Sequence, residues 1–165
     1  MSSRLVLVDA NVLLNFAQVD RLDLLGALSD LDFRAPAEVL TEILREPERS
    51  RVQASIRSGH LGETSLTQVS ELVLFSELRQ IMGMGEAACL ALAVSQRAWI
   101  ASDEKRVFRR EAESRLGPGC ILNTSGLLLL CIRRGLLSVE EADGLKAVLE
   151  TKRFRMKFGS FRDLA

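Results

Sequence analysis

Asp9, Glu42, Glu86 and Asp103 are spaced so that a folded α/β chain brings them to one edge. Leu5-Val6-Leu7-Val8 is an aliphatic run ending in Asp9, the pattern of a strand buried on both faces in a parallel sheet, with the acid at its carboxyl end. Trp99-Ile100-Ala101-Ser102 repeats the arrangement and ends at Asp103. Glu86 opens a small-residue helix just before that strand, and Glu42 lies near the start of another helix, begun by Ala35-Pro36-Ala37-Glu38. In a doubly wound sheet, strand ends and helix starts meet on the same edge. Carboxylates gathered there cannot all stay ionised without a cation. Mg²⁺ or Mn²⁺ suits such a site, because hard divalent ions take oxygen ligands and retain waters.

The rest of the chain supplies elements to hold these acids. Val12, Leu13 and Phe16, then Leu22, Leu24, Leu25 and Leu28, predict two short helices broken near Asp20. The helix begun at 35–38 carries Val39, Leu40, Ile43 and Leu44 on its apolar side, with Glu42 on a flank, and Pro47 limits it. Residues 48–62 read as a polar surface helix and loop, 64–69 as a short strand, and 71–81 as a helix. After Asp103 come a basic helix over 105–115, a strand at Cys120-Ile121-Leu122, and helices over 124–134 and 138–150. Arg153-Phe154-Arg155-Met156-Lys157-Phe158 alternates with period two, as an edge strand or extended tail does, so 151–165 is read that way. Strands separated by helices predict one domain over 1–165, a three-layer α/β/α sandwich around a mainly parallel sheet.

At 165 residues and 47% hydrophobic, the chain suffices for one well-cored domain. Its 22 Lys plus Arg balance 22 Asp plus Glu, so only local charge bears on nucleic-acid binding. Cys89, Cys120 and Cys131 stand apart in apolar contexts, without zinc-site spacing, and read as reduced core residues of a cytoplasmic protein. Met1-Ser2-Ser3-Arg4 runs straight into the first aliphatic run and no later apolar run reaches membrane-spanning length, so neither a signal peptide nor a membrane span is expected.

Val8-Asp9-Ala10-Asn11, Val39-Leu40-Thr41-Glu42-Ile43, Gly85-Glu86-Ala87 with its Ala-rich helix, and Ala101-Ser102-Asp103-Glu104-Lys105 occur in an order and spacing that resembles the PIN-domain family. That resemblance implies a PIN-like fold and a metal-dependent ribonuclease using Mg²⁺ or Mn²⁺, as in the toxins of prokaryotic toxin–antitoxin pairs. It matches Asp9, Glu42, Glu86 and Asp103 to the family's catalytic acids, with Asp9, Glu86 and Asp103 as metal ligands. Asn11 matches the small polar residue that steadies the first acid. RNA is the implied substrate, with an antitoxin protein and a second copy of the chain as candidate partners. Two departures stand out: the third acid is Glu where many PIN toxins carry Asp, and no second Asp follows Asp103 at a short interval, where Glu104 stands instead.

Plainer readings exist for each residue. Asp9 and Asp103 suit helix N-caps, Glu86 suits a helix dipole, and Glu42 suits a helix surface. Glu38 and Glu104 read as solvated. Gly83-Met84-Gly85 superficially fits a dinucleotide fingerprint but lacks the preceding strand, and His60 has no partner motif. The helix after Asp103 carries Lys105, Arg106, Arg109 and Arg110, either a solvated face or a set of phosphate contacts. Arg153, Arg155, Lys157 and Arg162 form a second basic strip, and an edge strand there offers backbone groups to a partner segment. The rival function is a PIN-like RNA-binding or scaffold protein with weak or no nuclease activity. An Asp-nucleophile phosphotransferase ranks last, because the second position after Asp9 is Asn11 instead of an acid.

Overall fold

In the computed structural model, which describes residues 2–165, the first aliphatic run is strand β1, Arg4–Val8. Val6, Leu7 and Val8 are wholly out of solvent, because β1 has a parallel neighbour on each side and helices over its faces. Those neighbours are β2, Leu31–Pro36, and β4, Trp99–Ala101. β3, Gly62–Thr64, extends the sheet beyond β2, and β5, Ile121–Leu122, extends it beyond β4. The order is β3-β2-β1-β4-β5, all parallel. The chain moves outward from β1 to β3 and then returns to the far side of β1, so strand order reverses between β1 and β4. Open α/β sheets bind ligands at the carboxyl ends of the strands flanking such a reversal. Val8 is the register partner of Ala101, so Asp9 and the pair Ser102-Asp103 leave the sheet side by side.

Crossover helices connect the parallel strands, giving the three-layer α/β/α sandwich expected from the pattern. Helix α1, Ala10–Gln18, leaves β1 directly; α2, Asp23–Ala27, leads to β2; α3, Ala37–Leu40, and α4, Glu48–Arg57, lead to β3. The return to β4 runs through α5, Val69–Leu78, and α6, Met84–Gln96. Residues Ala87 to Ala93 of α6 are buried, and their small side chains let the helix lie close across β1, β2 and β4. Helix α7, Val107–Leu116, packs beside α6, and α8, Thr124–Arg133, packs on α9, Val139–Thr151. Among the described residues no helix is long and apolar enough to cross a membrane.

Several elements differ from the sequence expectation. Strand β2 lies where apolar density is low; its signal is the alternation of buried Leu31, Phe33 and Ala35 with Asp32 and Arg34, whose side chains pair at 2.9 Å. It runs through Pro36, so the helix predicted from 35 begins at Ala37 and lasts one turn. Glu42 therefore sits in a turn, and Leu44, expected on an apolar helix face, is 73% exposed. The strand predicted over 64–69 is shorter and earlier, at Gly62–Thr64. Residues 153–158 form no strand, although Phe154, Met156 and Phe158 are half-buried and Arg153, Arg155 and Lys157 exposed. Arg153 takes a left-handed φ of 68° after α9 and turns the chain. Asp143 of α9 then accepts bonds from Ser160 Oγ at 2.6 Å and Phe161 N at 2.8 Å, which ties the tail to a helix instead of a sheet edge.

Candidate metal centre

Asp9 caps α1, as the plainer reading holds. Its Oδ1 accepts the Ala10 N–H at 2.8 Å and its Oδ2 accepts the Ser102 hydroxyl at 3.2 Å. A cap does not account for its electrostatics. The residue is 3% exposed, and it belongs to no ion pair among the described residues. Burial, opposed by the Ala10 bond and reinforced by the charge of Glu86 and then Glu42, pushes its carboxyl from 3.8 up to about 7.

Glu86, at the start of α6, and Glu42, in the turn after α3, act on Asp9 by charge. The half-buried carboxyl of Glu86 is raised by desolvation first, then by the nearby charges of Glu104 and Glu42, against a lowering bond from the Gly83 backbone. Glu42 Oε1 accepts the Gly85 N–H at 2.8 Å. Glycine at 85 makes that approach feasible: a Cβ there would stand 2.6 Å from Glu42 Oε1 and 3.2 Å from Val39 Cγ2. One turn along α6, the buried Cys89 thiol is raised well above its ordinary value by desolvation and by Asp9, Glu42, Glu38 and Glu86. Glu38, expected in solvent, is half-buried, and its Oε2 is out of water with no hydrogen-bond partner.

Asp103 sits at the same edge but is already engaged. Its Oδ1 accepts the Thr124 N–H at 2.8 Å, and its Oδ2 accepts the Thr124 hydroxyl at 2.6 Å and Asn15 Nδ2 at 3.0 Å. The acid thus joins β4 to α1 and α8. Asn11 makes no bond to Asp9; its Oδ1 accepts the Asp103 N–H at 3.2 Å and its Nδ2 donates to Glu104 Oε1 at 3.1 Å. It steadies the loop after β4 instead of the first acid. Ser102, Asn15 and Thr124 were not singled out by spacing alone. Asn15 had a legible signal, an amide one helical turn after Asn11 inside an apolar stripe, and it is indeed buried.

The structure therefore groups Asp9, Glu42 and Glu86 by charge, adds Glu104 beside Glu86 and Glu38 beside Cys89, and holds Asp103 next to them. Among the described residues no three of these side chains already form a metal cage. The chemistry of the donors fits a hard divalent cation: all are carboxylate oxygens, the Glu38 oxygen has no hydrogen-bond partner, and among the described residues no Lys or Arg pairs with Asp9.

The basic residues after Asp103 divide into two groups. Arg109 pairs with Glu113 at 2.9 Å and Arg115 with Glu111 at 3.5 Å, so much of α7 neutralises its own charge. Lys105, Arg106 and Arg110 are exposed and have no ion-pair partner among the described residues.

A family model described as a PIN domain matches residues 5–162, nearly the whole chain and all of the acids above. No curated protein matches it.

Proposed function

The chain belongs to the PIN-domain family, a family of nuclease type whose members generally use divalent metal ions, and from that premise we propose that it is an endoribonuclease dependent on Mg²⁺ or Mn²⁺. The observation that supports this most is Asp9, a buried carboxylate without a counter-charge, placed where strand order reverses and pressed by Glu86 and Glu42. Asp9 and Glu86 are the residues that would hold the ion, with Asp103 Oδ1, which accepts a single bond, as a further oxygen. When bound, the ion supplies Lewis-acid polarisation of a phosphodiester and eases ionisation of a water.

The chain's own groups do the positioning. Ala10 N–H and Ser102 Oγ fix the two oxygens of Asp9, and Ser102 Oγ in turn accepts the Glu104 N–H at 3.1 Å. Gly85 N–H fixes Oε1 of Glu42, leaving Oε2 to orient an attacking water and receive its proton. Asn11, Asn15 and Thr124 hold the loop from 103 to 104 against α1 and α8. As the toxin of a toxin–antitoxin pair, the chain would be restrained by a partner that places a Lys or Arg among these acids. The experiment is cleavage of single-stranded RNA with Mn²⁺: wild type cuts, EDTA stops it, and Asp9→Asn loses at least about 100-fold while keeping its fold. Equal cutting by the variant rejects the reading.

The scaffold reading draws on one observation, the three bonds already made by Asp103. It predicts RNA binding with no Mn²⁺-dependent cutting.

A further inference from the structure

Asp103 also lines one end of a separate cleft of about 340 Å³, walled by the loop after β4, the start of α8 and the C-terminal segment. Lys105, Arg155 and Lys157 line it as well. All three are exposed, and none joins an ion pair among the described residues, whereas Arg109, Arg115, Arg134 and Arg162 all do. Among the described residues Asp103 is the only acid lining the cleft, and both of its oxygens already accept bonds. The cleft is therefore built for an anion.

The aromatic rings on its wall are not equivalent. Phe158 stands edge-on to Phe161 at 4.9 Å, lies under Lys146 Nζ at 5.8 Å, and packs on the core with Met156. Phe154 also lines the cleft, half-buried, but takes no part in that core packing. A free ring among unpaired cations is the combination that single-stranded nucleic acid uses, its bases stacking and its phosphates meeting positive charge. Asn123 Oδ1 accepts the Gly126 N–H at 2.7 Å, which leaves the amide NH₂ to donate to a base edge. An acidic peptide would be drawn by the cations but has no flat face for the ring. We propose that this cleft is a nucleotide subsite for single-stranded RNA, with a base on Phe154 and flanking phosphates on Lys105, Arg155 and Lys157. Its place beside the scissile phosphate rests on the nuclease reading; the binding itself does not.

The test is fluorescence anisotropy of a labelled single-stranded RNA of mixed sequence in EDTA, which reads binding without cleavage. Phe154→Ala should weaken binding about tenfold with unchanged salt dependence, and Phe154→Trp should retain it. Arg155→Ala with Lys157→Ala should flatten the slope of log K against log salt by about 1.4, for two phosphate contacts on a single strand. The annealed duplex should bind more weakly than the single strand, and polyglutamate should leave the RNA bound. The assignment is overturned by wild-type affinity in Phe154→Ala, by equal loss in Phe154→Trp, by an unchanged salt slope in the double variant, or by a duplex that binds as tightly. Displacement of RNA by polyglutamate at equal charge also overturns it, in favour of an acidic-peptide site. A protein that passes these tests yet cuts nothing with Mn²⁺ keeps the subsite and rejects the nuclease. One that cuts while failing them does the reverse.

Discussion

Asp9, 3% exposed and in no ion pair among the described residues, is a destabilising group at neutral pH in the metal-free protein. Its unfolded value lies near 3.8 and its folded value at about 7, so the folded chain keeps a proton that the unfolded chain has lost. That contribution to stability is fully present below about 3.8 and is lost as pH rises through about 7. Urea titrations in EDTA should therefore show stability falling across this window, by a few kcal/mol at most. Asp9→Asn, which has no charge to acquire, should show a shallower fall; an identical pH profile would mean that Asp9 ionises freely. At this scale Asp9 and Asp103 were legible because each follows an apolar strand. The roles of Asn11, Ser102 and Thr124 were not, because each depends on which loop lies across from it, and sequence spacing does not carry that.

Elements place the acids, and Gly85 shows how tightly. The first turn of α6 and the turn after α3 approach so closely that the N–H of one holds the carboxylate of the other. Gly85→Ala should help the isolated helix by about 1 kcal/mol yet force Glu42 off its amide, since the new Cβ would lie 2.6 Å from Oε1. The expected result is Mn²⁺-dependent cleavage lower by about tenfold or more, with RNA affinity in EDTA unchanged. Cleavage at the wild-type rate would show that the Glu42 bond is incidental. Most helices and three strands were readable from periodicity, since burial on one or both faces imposes it. β2 was overlooked because Asp32 and Arg34, on its opposite face, break up the apolar run along the sequence, although the alternation was present. Of the two alternatives for the tail the edge strand did not form: period two arises in any extended chain packed on one side, and it does not disclose whether a partner strand exists.

Across the whole molecule, equal numbers of acidic and basic residues conceal an uneven distribution. The acids Asp9, Glu42 and Glu86 act on one another at the end of β1, while Lys105, Arg155 and Lys157 line a positive cleft that Asp103, at the end of the neighbouring β4, also lines. Such a layout suits a polyanion drawn in by the cations and a divalent ion neutralising the acids. The sheet order makes it happen, because the reversal between β1 and β4 pairs Val8 with Ala101, 93 residues further along the chain, and so brings the two strand ends side by side. The most direct measurement is calorimetric titration of Mn²⁺ into RNA-free protein, wild type and Asp9→Asn, near pH 6. Wild type should bind the ion and release protons, because Asp9 must ionise to accept it, and Asp9→Asn should bind at least about tenfold more weakly with its fold intact. Equal affinity and equal proton release in the two proteins would contradict the account.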